Sequence, residues 1–322
     1  MNIITKFVIA ASLIVLATTC GYLCRRKAWV PQRVAAVLMT LVVVGGYNIL
    51  GFLGVWKLPL HGADFWLTTL AVAHVIVMTL IGMACARLLT RDVPERGAFA
   101  VMAAFGNNSF TMGGFIAYLL YGQQGLGLTA IYCMMAVPIT VLWFYPIARH
   151  FSGSAAGVSL GALMRQSVLD WRSLGLPATL VGIAFSPSFG NVPYPAWLDQ
   201  VHLADILIFL TAAMAYFAIG LRLELSRVPA MGKMIVSLGV LRFLVGPALA
   251  LGLLALASLT PWPIAMERQH VFMVITVVPT AVMSVAVCNM FDLRPHEASV
   301  LFVVNTLAYL VIVLPVVVWV YR

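Results

Sequence analysis

The chain has 322 residues, 63% hydrophobic and 9% charged, where an ordinary soluble domain carries roughly 25% charged residues. Its mean hydropathy is +1.04 and its formal net charge +9. These values exclude a soluble globular enzyme, a disordered chain and a secreted disulfide scaffold. They also speak against an outer-membrane barrel, whose strands alternate polar and apolar residues. A helical span needs about 20 apolar residues, so the hydrophobic residues suffice for about ten spans.

Apolar runs bounded by charges and turn residues fall at 3–24, 34–54, 65–88, 98–121 and 126–148. After a more polar stretch they resume at 174–189, 203–221, 235–259, 271–290 and 299–321. The sequence thus predicts an all-α polytopic membrane protein of ten spans. The sixth is short and bracketed by Pro177 and Pro187. Before the first span stands only Lys6, and Arg25, Arg26 and Lys27 follow it. That is the reverse of a cleaved signal, so a retained helix with an outer N-terminus is expected. On this orientation Lys6, Lys57, Arg268 and Arg322 lie outside and Arg242 lies within a span. The rest of the 19 Lys and Arg then fall inside. This positive-inside bias puts both termini outside, in a plasma or bacterial inner membrane. The basic residues are topological anchors, and no nucleic-acid partner is expected.

Residues 151–173 read as an inner linker carrying a short surface helix over 160–171. They separate a first five-helix half, 1–150, from a second, 174–322. An odd number of spans per half would invert one half against the other. A faint echo supports this: Val137-Pro138 with Trp143 and Tyr145, against Leu314-Pro315 with Trp319 and Tyr321. The five cysteines sit in or beside apolar runs without CxxC spacing, and read as buried thiols rather than metal ligands or disulfides.

Breaks in a membrane helix are tolerated only where they are buried in protein or line a cavity. The fourth span holds such a break: Gly106-Asn107-Asn108-Ser109-Phe110-Thr111-Met112-Gly113-Gly114. Gly releases helical geometry, and Asn accepts irregular backbone and caps a new start. Half-helix N-termini there would favour an anion. Asn107, Asn108, Ser109 and Thr111 are therefore candidate substrate contacts; the alternative is a tight helix–helix interface. The ninth span offers the matching place, with Pro279, Thr280 and Ser284. Pro279 breaks or kinks its helix.

Arg242 is the basic residue deep in a span, costing at least about 2.5 kcal/mol unless it is paired. Its partner would be a backbone carbonyl or an anionic ligand; snorkelling is the alternative. Asn48, beside Gly45-Gly46 in the second span, is a further cavity candidate. His74 in the third span and Asp205 at the outer start of the seventh are candidates for proton coupling. The ordinary readings are a satisfied core histidine and a surface carboxylate.

These residues together resemble the auxin efflux carrier family of membrane transporters. The likeness rests on Phe105–Phe110 with Tyr121–Leu126, on Ala218–Leu223, and on Leu241-Arg242-Phe243 followed by Gly246-Pro247. Val278–Ala281 and Glu297-Ala298-Ser299 complete it. The resemblance implies ten helices in two inverted five-helix repeats. It implies broken helices four and nine that cross with the substrate between them. Asn107 and Pro279 would stand at the crossover, and the cargo would be a small organic anion. The chain departs from the family at Gly114, where a proline is usual, and at Gly45-Gly46, where the family has Leu-Pro; it is similar to a divergent member.

The expected function is alternating-access transport of a small carboxylate, with a proton or sodium as coupling ion, or as a uniporter. No cofactor or metal is expected, and a homodimer is admissible. The competing classes are an intramembrane hydrolase, with Ser109 and His74 cast as nucleophile and base, and an ion channel.

Overall fold

In hydrocarbon, open backbone must satisfy itself, and helices do so segment by segment. A computed structural model describes residues 3–31, 33–152, 175–223, 231–261 and 264–321, and these form helices joined by turns. The chain is an all-α protein with the apolar helices of an integral membrane protein. The expected linker, beyond residue 152, lies outside the described residues.

Six helices among the described residues are long and apolar enough to cross a membrane unbroken. They include α1 (Ile3–Arg26), α2 (Arg33–Trp56) and α3 (Trp66–Leu89) of the first half. The fourth, fifth and ninth expected spans are built from pieces. The fourth begins as α4 (Val93–Ala104), breaks, and resumes in the first limb of α5 (Gly113–Cys133). At Gly122 the chain takes φ +60 and folds back on itself. A Cβ on Gly125 would strike the Ala117 carbonyl, so the two limbs of α5 touch backbone to backbone. The fifth span is thus the second limb of α5, continued through Ala136–Ile139 and a π turn, Thr140–Phe144, into α6 (Tyr145–Phe151).

The second half starts with the short α7 (Gly175–Phe185), which stops where Ser186-Pro187 turns the chain. Then come the unbroken α8 (Leu203–Gly220) and α9 (Gly232–Ser258). The ninth span is split into α10 (Met266–Thr276) and α11 (Val282–Met290). The last is the unbroken α12 (Pro295–Tyr321).

Among the described residues four spans contain a π turn, and three share one cause. Pro146, Pro247 and Pro315 each stand just beyond a π turn: Thr140–Phe144, Leu241–Val245 and Tyr309–Val313. A proline has no N–H for the carbonyl four residues back, and its ring crowds that carbonyl. The helix widens by one residue to accommodate it. Of the two prolines in the echo, Pro315 follows a π turn, whereas Pro138 lies in Ala136–Ile139, ahead of one. The fourth π turn, Leu41–Tyr47, has no proline but holds Gly45-Gly46. There Asn48 Nδ2 donates to the Val44 carbonyl (2.8 Å), and Gly46 admits the Thr211 side chain of α8.

Packing is reciprocal between the halves. α1 lies on α8, where Gly21 and Gly220 bring the two backbones together. α7 lies on α2, where Gly182 sits against the Phe52 carbonyl. The broken pieces form the other layer: α4 packs on α3, α11 and α12, and α10 packs on α5 and α9.

Charged contacts tie the ends. Buried Asp64 accepts from the Arg268 guanidinium, whose Nη2 also bonds His61 Nδ1 (3.0 Å), and Lys57 pairs with Asp199 (2.5 Å). At the opposite end Asp92 caps α4 through the Glu95 N–H (3.1 Å) and pairs with Arg294 (2.9 Å). The hydrogen bond from Arg294 is the largest cause holding the Asp92 carboxyl below its ordinary 3.8.

Two outcomes follow. Gly220→Leu forces α1 off α8 and costs about 1–3 kcal/mol, read as a lower melting temperature in detergent. Gly45→Ala meets nothing within 4 Å and leaves the melting temperature unchanged or raised. Because the folded pKa of Asp92 is depressed, its pairing stabilises fully above the unfolded value and is lost as pH falls through the folded one. The difference in melting temperature between wild type and Asp92→Asn is therefore present at neutral pH and shrinks below pH 3.8. A difference that is flat with pH contradicts the pairing.

Candidate functional site: the crossing of two broken helices

The two breaks meet. Gly106 and Thr280 face each other in an isolated antiparallel bridge. Asn107 N–H donates to the Pro279 carbonyl (2.7 Å), and Ala281 N–H donates to the Phe105 carbonyl (2.8 Å). Each unwound segment thus satisfies the other, which helical geometry no longer can. Thr280 N–H is taken by Asn305 Oδ1 of α12 (2.9 Å). Gly106 has no room for a side chain, since Asn108, Arg242 and Val278 crowd it.

Arg242 lies at the heart of this crossing and is 1% exposed. Its guanidinium donates to the carbonyls of Val278 (2.8 and 3.2 Å), Ala103 (3.4 Å) and Thr276 (3.4 Å). Ala103 belongs to the last turn of α4, and Thr276 ends α10. These are carbonyls that a helix C-terminus leaves unpaired. Of the expected partners, backbone carbonyls are the ones observed. Snorkelling is excluded by this burial.

The adjacent asparagines divide the work. Asn108 satisfies its surroundings with its amide nitrogen toward the carbonyls of Ile275 (3.1 Å) and Gly106 (3.2 Å) and its oxygen toward the Tyr132 hydroxyl (3.1 Å). It is therefore a strut between the breaks. Asn107, 3% exposed, accepts from Thr111 Oγ1 (2.9 Å), which also bonds the Tyr47 hydroxyl (2.9 Å). Asn107 Nδ2 makes no close hydrogen bond among the described residues, and the acceptor that faces it is the Tyr216 hydroxyl oxygen. That hydroxyl donates weakly to Met112 Sδ (3.6 Å). The buried Tyr309 hydroxyl is also without a partner among the described residues. A buried amide N–H left open costs about 1–3 kcal/mol, a cost a bound acceptor would remove.

Other candidates serve the frame. Thr280 Oγ1 donates to the Met102 carbonyl (2.6 Å), and Ser284 Oγ donates to the Val101 carbonyl (3.2 Å). Both tie the ninth-span break to α4. Ser109 stands beside the Tyr47 hydroxyl. His74 is buried, and its Nε2 meets the Gly246 carbonyl at 3.0 Å. Asp205 is away from the crossing, bonded to the Tyr118 hydroxyl and to His202 Nδ1 (3.2 Å). Asn48 serves its own π turn.

Sequence reasoning missed Tyr47, Tyr132, Tyr216, Tyr309 and Asn305. No family model matches this chain, and no curated protein matches it.

Asn305→Leu leaves the Thr280 N–H unpaired and costs about 1–3 kcal/mol. Amide hydrogen exchange through residues 278–281 should accelerate with it. Unchanged protection there contradicts the assigned role of Asn305.

Proposed function

We propose that the protein is a secondary transporter that moves a small organic anion, a carboxylate, by alternating access at this crossing. The observation that carries the reading is the open Asn107 Nδ2, buried where two broken helices pair. Breaks of this kind are tolerated where the backbone is buried in protein or lines a cavity, and the open amide favours the second. An unpaired amide donor flanked by the hydroxyls of Tyr47, Thr111 and Tyr216 suits a carboxylate oxygen. With Asn107 only 3% exposed, the conformation is a closed one.

We read the ten spans as two inverted five-helix repeats, in the manner of the auxin efflux carriers the sequence resembles. The reciprocal packing of α1 on α8 and α7 on α2 supports this, as does the proline after a π turn in the last span of each half. α1, α2, α7 and α8 then form a frame, and the crossing helices form the moving layer. Asn107 and Tyr216 face each other between the two. On the charge pattern both termini lie outside, in a plasma or bacterial inner membrane. A hydrolase is disfavoured, since the His74 imidazole is engaged with the Gly246 carbonyl.

The test is uptake of labelled carboxylates into proteoliposomes, with and without a pH gradient. Asn107→Ala removes the open donor and should abolish uptake. It breaks one side-chain bond, so stability should change by about 1 kcal/mol or less. Wild-type uptake by this variant contradicts the assignment.

A further inference from the structure

We infer that the Arg242 guanidinium fills a monovalent-cation site built by the crossing, so that the protein carries its own cation there and closes without an inorganic one. In transporters with discontinuous helices, unwound carbonyls and half-helix C-termini are the groups that coordinate sodium. That ligand set is assembled here: the Ala103 carbonyl in the last turn of α4, Thr276 at the end of α10, and Val278 in the break between α10 and α11. Each helix C-terminus presents about half a negative charge, and two together present about one. One guanidinium balances it. The fixed charge arrives on α9, whose π turn, Leu241–Val245, holds Arg242. No carboxylate shares Arg242 among the described residues, so the positive charge is committed to the carbonyl cage.

Consequences follow for the transport reading on which this inference builds. Sodium has no place in the cage while Arg242 is in it. Of the coupling ions expected from the sequence, sodium is then removed, and carriage of the anion rests on a proton or on the membrane potential alone. Arg242 is a positioning residue: it holds two helix ends together and leaves Asn107 to meet the substrate.

The experiment reads cation binding without any substrate. Melting temperature in detergent is followed against sodium chloride and non-denaturing guanidinium chloride, with choline chloride holding ionic strength constant. Wild type should not respond to either ion. Arg242→Ala should melt lower in choline and regain several degrees, saturably, with guanidinium or sodium. Arg242→Lys keeps the charge and should be insensitive to sodium. A saturable sodium response in wild type overturns the inference, as does an Arg242→Ala protein that folds and ignores both cations. Should Arg242→Ala not fold, wild type and Arg242→Lys decide, and a sodium response in either contradicts a resident cation. Uptake into proteoliposomes is the second arm, and rates in sodium and choline should agree. Absence of carboxylate uptake under every condition overturns the transporter reading and leaves the melting result standing for the cation site.

Discussion

A guanidinium surrounded by main-chain carbonyls in the middle of an apolar protein is the constraint on which the rest depends. Two helices stop at the same place, and each stop exposes carbonyls that hydrocarbon cannot solvate. Arg242 answers both stops at once, through bonds to Ala103, Thr276 and Val278. Arg is suited to this, since its planar fork offers five donors and keeps its charge. Without it, two negative helix ends would face each other across the crossing. The bridge from Asn107 to Pro279 and from Phe105 to Ala281 can then form on an already neutral base.

The surroundings follow from holding that centre. Asn108 bonds the Ile275 and Gly106 carbonyls, Asn305 takes the Thr280 N–H, and Thr280 and Ser284 reach carbonyls of α4. Each turns an unsatisfied group of a broken helix into a contact between helices. What is left over is informative. Asn107 lies within the same break, yet its Nδ2 makes no close hydrogen bond among the described residues. That open amide carries the transport proposal, and the Tyr47 and Tyr216 hydroxyls beside it supply polar edges in an apolar wall.

The sequence shows the breaks because they violate a local rule. Adjacent asparagines and clustered glycines between apolar runs, and a proline in the ninth run, need no knowledge of neighbours to be noticed. Arg242 is visible for the same reason, though its carbonyl partners come from spans far away in the chain. The tyrosines are invisible locally. Tyr216 and Tyr309 sit in ordinary apolar stretches, Tyr47 is overshadowed by Gly45-Gly46 and Asn48 around it, and tyrosine is common in membrane helices for its amphipathic ring alone. Only the fold brings Tyr47 and Tyr216 near Asn107, and Tyr309 near Tyr216. The fold-back at Gly122 reads as a loop in sequence, yet helix runs almost to the glycine on both sides, because Gly125 lets the limbs touch. Pro138 and Pro146 look alike in the sequence, and only the structure shows that Pro146 is the one that follows a π turn.

The most direct measurement is an experimental structure of the protein with the carboxylate that the uptake assay selects. The account predicts anion density within hydrogen-bonding distance of Asn107 Nδ2, beside Tyr216 and Thr111, with Arg242 still on the carbonyls of α4 and α10. Anion density against Arg242 with its carbonyl bonds broken, or density remote from the crossing, would contradict it.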